Sequence, residues 1–451
     1  MQLVRNLGLL EAIALSTSVI APTMAMAFNV TLTAQAAGPA APLSFAIGTL
    51  VLAIVGLSFI AFARRMAHAG SAYAYLQASF GPGAGFIAGW LLLLTYLCFA
   101  SGTATLVGVF VHSALSNYGL SMPNLWLPLG VAAALLATLC AYRDMVLATR
   151  LMLALEAVSV IAILVLCGVV LWRVAMAGGL SLAPFRPTAA FGGWGGVGFG
   201  LVYAVLSFAG FEGATTLGEE MRHPYRDIPR AVLGTVLAAG GFYVLVSYTQ
   251  VVGFGIGDIA TLAKAEAPLN TLANRFATRE LATAIDLAAA VSAFACALGS
   301  LSAAARMMFA LGRGWGVVSI GAVHPSHGTP ARAVVLSGAI MIAGLLGWAP
   351  FLGPSTYYGC AGTIGTLALI LVYLGVTLGE ARSALARAAS GGVALGVVGT
   401  LLLLWPLGNS LIPVPPPPYN GLPYVVVFWA IAGLVAIARR RVVLDATIRF
   451  D

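Results

Sequence analysis

The chain has 451 residues, of which 61% are hydrophobic and 8% charged, and its formal net charge is +8. A soluble globular domain carries roughly 25% charged residues, so this composition excludes a water-soluble fold and predicts a polytopic, all-helical membrane protein. The first apolar run is too long for a secretory signal and has no convincing small-residue cleavage site. We therefore expect it to remain in the chain as a membrane span.

Twelve apolar runs follow one another along the chain, each long enough for a membrane helix. They lie near 8–28, 42–63, 84–113, 125–141, 147–172, 193–216, 231–254, 281–311, 332–350, 355–378, 391–411 and 421–438. If the N-terminus is cytoplasmic and the sides alternate, only Arg173, Arg186, Lys264, Arg275 and Arg279 among the Lys and Arg residues fall outside. This positive-inside bias predicts that both termini are cytoplasmic. The arginines are scattered over separate loops, so we expect the lipid bilayer, and no nucleic acid, as a partner.

The chain lacks the motifs of several other function classes. It has no Walker A sequence and no nucleophile elbow, so we expect neither ATP-driven transport nor an enzyme. The five cysteines all lie in apolar runs without CxxC spacing, and the histidines show no metal-ligand spacing. An odd number of cysteines at lipid depth argues against a disulfide framework. We therefore expect no cofactor and no metal site.

Spans 1 and 6 are each interrupted within their apolar runs. Pro22 lies in span 1 and lacks a backbone donor, which frees carbonyls one turn back. Gly210 and Gly213 flank Glu212 in span 6 and weaken that helix at the same depth. Two interrupted helices, five spans apart, indicate the binding site of an inverted-repeat transporter. The longest hydrophilic connections, near 174–192 and 255–280, fall outside and are candidates for short helices over the site.

Four acids lie within or near the spans: Glu11, Glu156, Glu212 and Asp286. Glu11 and Asp286 are near span ends, where the interface or a helix N-terminus accounts for them. Glu156 is deep in span 5, and its position is equally compatible with a structural hydrogen bond and with proton coupling. Glu212 is the strongest proton-coupling candidate, because burial disfavours the charged form of a carboxyl. The alternative for Glu212 is a carboxyl that only ties helices together.

Three segments together resemble the amino acid–polyamine–organocation permeases over essentially the whole chain. The first, AHAGSAYAYLQASFGPGAGFIAGW (67–90), is similar to the region between spans 2 and 3 of that family. The second, SFAGFEGATTLGEEMRHPYRDIPRA (207–231), looks like the span 6 motif with its acidic pair. The third, ARMMFALGRGWG (305–316), is followed by Thr329 and Pro330 and is similar to the region that closes span 8.

The resemblance implies the leucine-transporter type of fold, in a single domain over 1–451. The first five-span repeat would cover 8–172, the second 193–378, and two extra helices 391–438. It also implies alternating access, with amides of span 1 facing a substrate carboxylate and carbonyls of span 6 taking an amino group. The substrate-binding positions that it implies are Ile20, Ala21, Pro22, Thr23 and Met24 in span 1, and Ser207, Phe208, Ala209, Gly210 and Phe211 in span 6.

Two departures from the family pattern leave the substrate and the coupling ion open. Many members have Gly-x-Gly in span 1, where this chain has Pro22, Thr23 and Met24, which leaves room for an amine or polyamine substrate. Span 5 has no lysine such as some proton-coupled members carry. A proton is the favoured coupling ion. Sodium is the alternative, with the hydroxyls of Ser292, Ser300 and Ser302 as candidate ligands, although helix packing explains these serines equally well.

These observations favour a secondary active transporter of amino acids or related amines in a bacterial inner membrane. Tyr357 and Tyr358 are candidate outer lids, and Arg306 with Glu220 is a candidate cytoplasmic gate. Exchange of one amine for another is a second mechanism, and a non-transporting sensor is a hypothesis from another class. A major-facilitator architecture is disfavoured, because the loop after span 6 is short. The oligomeric state and the direction of transport stay open.

Overall fold

A computed structural model describes residues 8–66, 71–122, 124–143, 146–217, 221–314, 330–412 and 414–439. The regular elements of this part of the chain are helical. The α-helices are α1 (Leu9–Ile20), α2 (Pro22–Ala37), α3 (Ala41–Ala63), α4 (Ser71–Phe80), α5 (Pro82–Ser116), α6 (Trp126–Arg143), α7 (Val146–Met176), α8 (Trp194–Phe208), α9 (Pro224–Phe254), α10 (Ile259–Leu262), α11 (Pro268–Phe276), α12 (Arg279–Gly314), α13 (Ala331–Leu352), α14 (Pro354–Ala386), α15 (Ser390–Asn409) and α16 (Leu422–Ala438). Short 3₁₀ helices cover Gly38–Ala40, Ala183–Phe185, Pro187–Ala189, Phe211–Leu217, Ile256–Asp258 and Tyr419–Gly421.

Within the described residues, 10 helical stretches are long and apolar enough to cross a membrane. One of them, Pro22–Ala63, joins the second part of the expected span 1 to span 2. The expected span 6 is represented by α8, an apolar helix of 15 residues that is shorter than a full span. Spans 1 and 6 therefore differ from the other expected spans because their helices are broken.

Several helices continue past the apolar runs that mark them in the sequence. Helix α5 begins at Pro82, directly after Gly81, whose φ of 94° ends the preceding helix. Helices α12 and α14 also extend beyond the hydrophobic stretches at one or both ends. A helix satisfies its own backbone hydrogen bonds in water as well as in lipid, so hydropathy marks the bilayer core and not the helix ends.

The bundle is organised around α5, which packs against α12 and α14, while α3 packs against α9 and α2 against α8. An aromatic cluster fills the interior beside the break in span 6. In it, the ring of Phe59 makes edge contacts with Tyr75, Phe211 and Tyr373. Such edge-to-face pairs each add about 0.5–1.5 kcal/mol beyond the area that they bury. The packing fixes the broken segment against two unbroken helices.

The connection 255–280 carries the short helices expected there, α10 and α11. Helix α11 is tied to α12 by Asn270, whose amide donates to Asp286 Oδ2 at 2.6 Å. Asp286 is buried at this contact. In the other long connection, 174–192, the helical elements are the two 3₁₀ turns Ala183–Phe185 and Pro187–Ala189.

Candidate functional site

The break in span 1 lies at Ala21, between α1 and α2. Ala21 has φ 49° and ψ 61°, in the left-handed region. The residue before a proline is disfavoured in the right-handed α region, and Pro22 is accepted as the first residue of the new helix. The sequence Ala21-Pro22 therefore ends one helix and starts another. The interruption expected from Pro22 is present.

The break in span 6 lies at Ala209 and Gly210. Helix α8 ends at Phe208, and the backbone of Ala209 turns to φ −55° and ψ 123°. Gly210 then has φ 104°, a conformation that glycine adopts without the steric cost of a Cβ. The chain continues as the 3₁₀ helix Phe211–Leu217, which carries Glu212. Both interruptions expected from the sequence therefore occur.

Polar side chains connect the two broken spans on both sides of the breaks. On one side, Ser16 of α1 donates its hydroxyl proton to the Phe211 carbonyl at 3.2 Å and accepts from the Ala214 amide at 3.0 Å. On the other side, the Asn29 amide of α2 donates to Ser207 Oγ at 2.8 Å. The backbone groups released by the breaks are thus partly satisfied by side chains of the opposite span.

The first amides of α2 are bound by side chains of two other helices. The Thr23 amide donates to Glu156 Oε1 of α7 at 2.7 Å, and the Met24 amide donates to Ser292 Oγ of α12 at 3.2 Å. The Ser292 hydroxyl also hydrogen-bonds to Glu156. One of the amides that the resemblance assigns to a substrate carboxylate, that of Thr23, is therefore in contact with a carboxylate of the chain itself.

Glu212 lies in a second buried polar pair. The Tyr373 hydroxyl of α14 donates to Glu212 Oε2 at 2.8 Å. Tyr96 of α5 is near enough to interact electrostatically with the same carboxyl. The side chains of Glu156 and Glu212 are both deeply buried, since the two residues are 6% and 7% exposed. The ion pairs found among the described residues involve neither of them.

The implied substrate-binding residues come together around the two breaks and are buried there. Those with less than a tenth of their surface exposed are Ile20, Ala21, Pro22, Thr23, Met24, Ser207, Phe208, Ala209 and Phe211, and Gly210 is partly exposed. Some of their groups already have partners, as when Tyr243 donates its hydroxyl proton to the Ser207 carbonyl at 2.7 Å. These positions are therefore enclosed by the protein in this structure.

The candidate gating residues do not lie together at one place in the structure. The Tyr358 hydroxyl donates to Asn29 Oδ1 at 2.7 Å, so it contacts the broken spans directly. The hydroxyl of Tyr357 instead hydrogen-bonds to Ser101 of α5. Arg306 is exposed on α12, and Glu220 lies outside the described residues. The gating role of Tyr357, Tyr358, Arg306 and Glu220 stays a prediction.

Four residues of the site are not predicted from the sequence: Asn29, Tyr243, Gln250 and Tyr373. Gln250 donates its side-chain amide to the Met26 carbonyl at 2.7 Å and so supports α2 just beyond the break. Amide side chains are costly in lipid, and this cost is a signal that could identify Asn29 and Gln250. The tyrosines give no such signal, because tyrosine also occurs at membrane interfaces and in cores.

A family model described as amino acid permease matches residues 13–390 of the chain. The chain belongs to the amino acid permease family. The expected resemblance to the amino acid–polyamine–organocation superfamily is thereby confirmed. Within the described residues of this family member, no three His, Cys, Asp or Glu side chains are grouped so that they could hold a metal ion.

Curated relatives include proteins that are named for different substrates. A branched-chain amino acid permease of Lactococcus lactis is 25% identical over 317 residues, which cover 67% of each chain. A low-affinity putrescine importer of Escherichia coli is 29% identical over 313 residues, covering 67% of this chain and 66% of the relative. A methylthioribose transporter of Bacillus subtilis is 25% identical over 385 residues, covering 82% of this chain and 80% of the relative. These relatives point to transport and leave the substrate of this family member open.

Proposed function

We propose that this protein is a secondary active transporter of amino acids or related amines, coupled to protons. Its support is the meeting of two broken helices, at Ala21 and at Ala209–Gly210, beside two buried carboxyls. In membrane transporters, substrates and coupling ions bind where discontinuous helices meet near the bilayer midplane. The substrates for which the relatives are named, branched-chain amino acids and the diamine putrescine, support the same substrate range.

The proposal includes an architecture of twelve spans in two inverted repeats of five, followed by two further helices. The 10 long apolar stretches, together with the broken spans 1 and 6, are compatible with that number. The charge pattern supports cytoplasmic termini, and the bacterial relatives support a place in the inner membrane. Alternating access then moves the first spans of the two repeats relative to the rest of the bundle.

Glu212 is the proposed proton carrier, with Glu156 as the second candidate. The Glu212 carboxyl is buried and hydrogen-bonded to Tyr373, which belongs to the second repeat of the proposed architecture. Binding a proton there removes a charge from the interior, where an uncompensated charge is costly. A proton that binds from one side and leaves to the other would couple the gradient to the movement of the broken helices.

Uptake into proteoliposomes under an imposed inward proton gradient tests this proposal. A labelled panel of amino acids, diamines and polyamines should contain at least one compound that accumulates, and its uptake should increase as the outside pH falls. Accumulation only after preloading with a related amine would instead identify an exchanger. Binding of a compound without any movement of label would favour a sensor and overturn transport.

The Glu212→Gln substitution tests the proton carrier. Glutamine keeps an oxygen that can accept the Tyr373 proton but cannot titrate, so uptake should lose its dependence on pH, while substrate binding and exchange across the membrane persist. Glu11→Gln is the matched control, because Glu11 is exposed and its carboxylate accepts from the Gly8 amide at 2.9 Å at the start of α1. If Glu212→Gln retains the wild-type pH profile, Glu212 is not the coupling site.

A further inference from the structure

The amide groups at the start of α2 form an anion site that the chain itself fills. The first four amides of a helix have no partner within it, and together with the helix dipole they attract anions. Pro22 has no amide hydrogen, so the next available amides are those of Thr23 and Met24. Glu156 binds the first through its carboxylate at 2.7 Å, and Ser292 binds the second at 3.2 Å. The helix end is thus already occupied by protein groups.

This occupation changes what the site can bind. A substrate carboxylate that used the same amides would have to displace Glu156 and would then lie close to it. Two carboxylates at one buried site disfavour each other's charged form. Ser292 reinforces the arrangement, because its hydroxyl bonds to Glu156 while its oxygen accepts from Met24. An amino acid would therefore meet a filled site and a like charge where its carboxylate should bind.

The charges near the breaks favour a cation instead. Glu156 is buried against the Thr23 amide and Glu212 against the Tyr373 hydroxyl, and the ion pairs among the described residues include neither of them. A substrate ammonium group brings the compensating positive charge that a buried carboxylate needs. Near the breaks, Ser207 Oγ of span 6 accepts from the Asn29 amide, and Asn29 Oδ1 of α2 accepts from the Tyr358 hydroxyl. The two buried carboxyls are therefore the groups near the breaks whose charge a substrate cation can compensate.

From this geometry we infer that Glu156 is a specificity-determining residue, a built-in carboxylate that selects amines without a carboxyl group over the corresponding amino acids. The inference rests on the proposed function and narrows it. Glu156 takes the place of the substrate carboxylate at the α2 amides, so the substrate needs only its ammonium group and its side chain. Amines that differ from amino acids only by the missing carboxyl group are the class that this arrangement admits.

Two pairs of probes separate the classes: putrescine with ornithine, and isobutylamine with valine. Each amine is the corresponding amino acid without its carboxyl group, so the two members of a pair share the amino group and the side chain. Binding to the purified full-length protein is measured by ligand-induced thermal stabilisation and by competition for uptake. For at least one pair, the wild-type protein should bind the amine at least tenfold more tightly than the amino acid.

Substitutions at Glu156 test its role. Glu156→Ala frees the Thr23 amide and removes the charge. The ratio of amine affinity to amino acid affinity should therefore fall by at least tenfold. Glu156→Gln keeps an acceptor oxygen on the amide, so amine binding should weaken with a smaller gain for the amino acid. Asp286→Asn is the control, because Asp286 is a buried carboxyl that is bound to Asn270, away from the breaks. The preference of this variant for amine over amino acid should match that of the wild-type protein.

The outcomes distinguish this inference from the proposed function. If the wild-type protein binds an amino acid as tightly as its amine, or Glu156→Ala leaves the preference unchanged, the inference is overturned while transport stands. If Glu156→Ala does not fold, Glu156→Gln decides, because an unchanged preference in that variant also overturns the inference. If no amino acid or amine binds or moves, the proposed function is overturned, and this inference with it.

Discussion

Substitution of Glu380 should destabilise the bundle more than any change to its exposed partner. The Glu380 carboxylate lies between two arginines, with Arg65 bonded to Oε2 and Arg387 Nη2 at 3.3 Å from Oε1. The side chains of Glu380, Arg65 and Arg387 are 3%, 21% and 43% exposed. This cluster joins the end of α3 to the second half of α14, so it holds two spans together.

The expected magnitudes follow from these exposures. Removing one partner of a buried ion pair costs about 3–5 kcal/mol, because the other charge is left uncompensated. Burial lowers the pKa of Arg65, while the nearby Glu380 carboxylate acts in the opposite direction. Arg65 retains some exposure, so we expect Glu380→Gln to cost about 3 kcal/mol, the lower end of that range. The Arg387 pair is much more exposed, so Arg387→Ala should cost at most about 1 kcal/mol.

The free energy of unfolding, measured by detergent titration of the purified protein, gives the comparison. A second variant removes the stranded charge: Arg65→Met added to Glu380→Gln should recover part of the loss, because no unpaired cation then remains. The reasoning is refuted if Glu380→Gln costs no more than Arg387→Ala. It is refuted equally if adding Arg65→Met increases the loss.

Two further predictions concern the broken spans. Ala21 has φ 49°, a conformation that costs a non-glycine residue roughly 1 kcal/mol. Ala21→Gly should therefore raise the free energy of unfolding by up to about that amount. A decrease in the same titration would contradict the idea that Ala21 is strained. Tyr358 donates a hydrogen bond to Asn29 at 2.7 Å. A double-mutant cycle of Asn29→Ala and Tyr358→Phe should therefore give a coupling energy of about 0.6–1.7 kcal/mol. Additive losses of stability would show that the two side chains act independently.

The backbone breaks could be predicted because their causes are local. Pro22 lacks an amide hydrogen and restricts the residue before it, whatever surrounds it. Gly210 permits a positive φ in the same local way. Hydropathy likewise marks the part of each span that lies in the bilayer core, since each residue has its own free energy of transfer into lipid. Hydropathy predicts the helix ends less well, because a helix can continue into water without losing its own hydrogen bonds.

The partners of the buried polar groups could not be predicted in this way. Glu156 could be recognised as deeply placed, but not as the ligand of the Thr23 amide, which lies 133 residues away in the chain. Glu212 was the leading candidate for proton coupling, yet its partner Tyr373, 161 residues away, gave no signal of its own. Nor could Tyr358 be distinguished from Tyr357, although only one turns toward Asn29 in the broken span.

The sequence by itself therefore determined the membrane class, the apolar runs, the two interruptions and the likeness to amino acid permeases. Each of these follows from properties of single residues or of short segments. Only the tertiary structure decided that Glu156 and Ser292 occupy the amides of α2 and that Glu212 bonds to Tyr373. Those contacts depend on how α7, α12 and α14 pack around the breaks, because long-range packing sets the distance and direction of each hydrogen bond, and no local pattern encodes them.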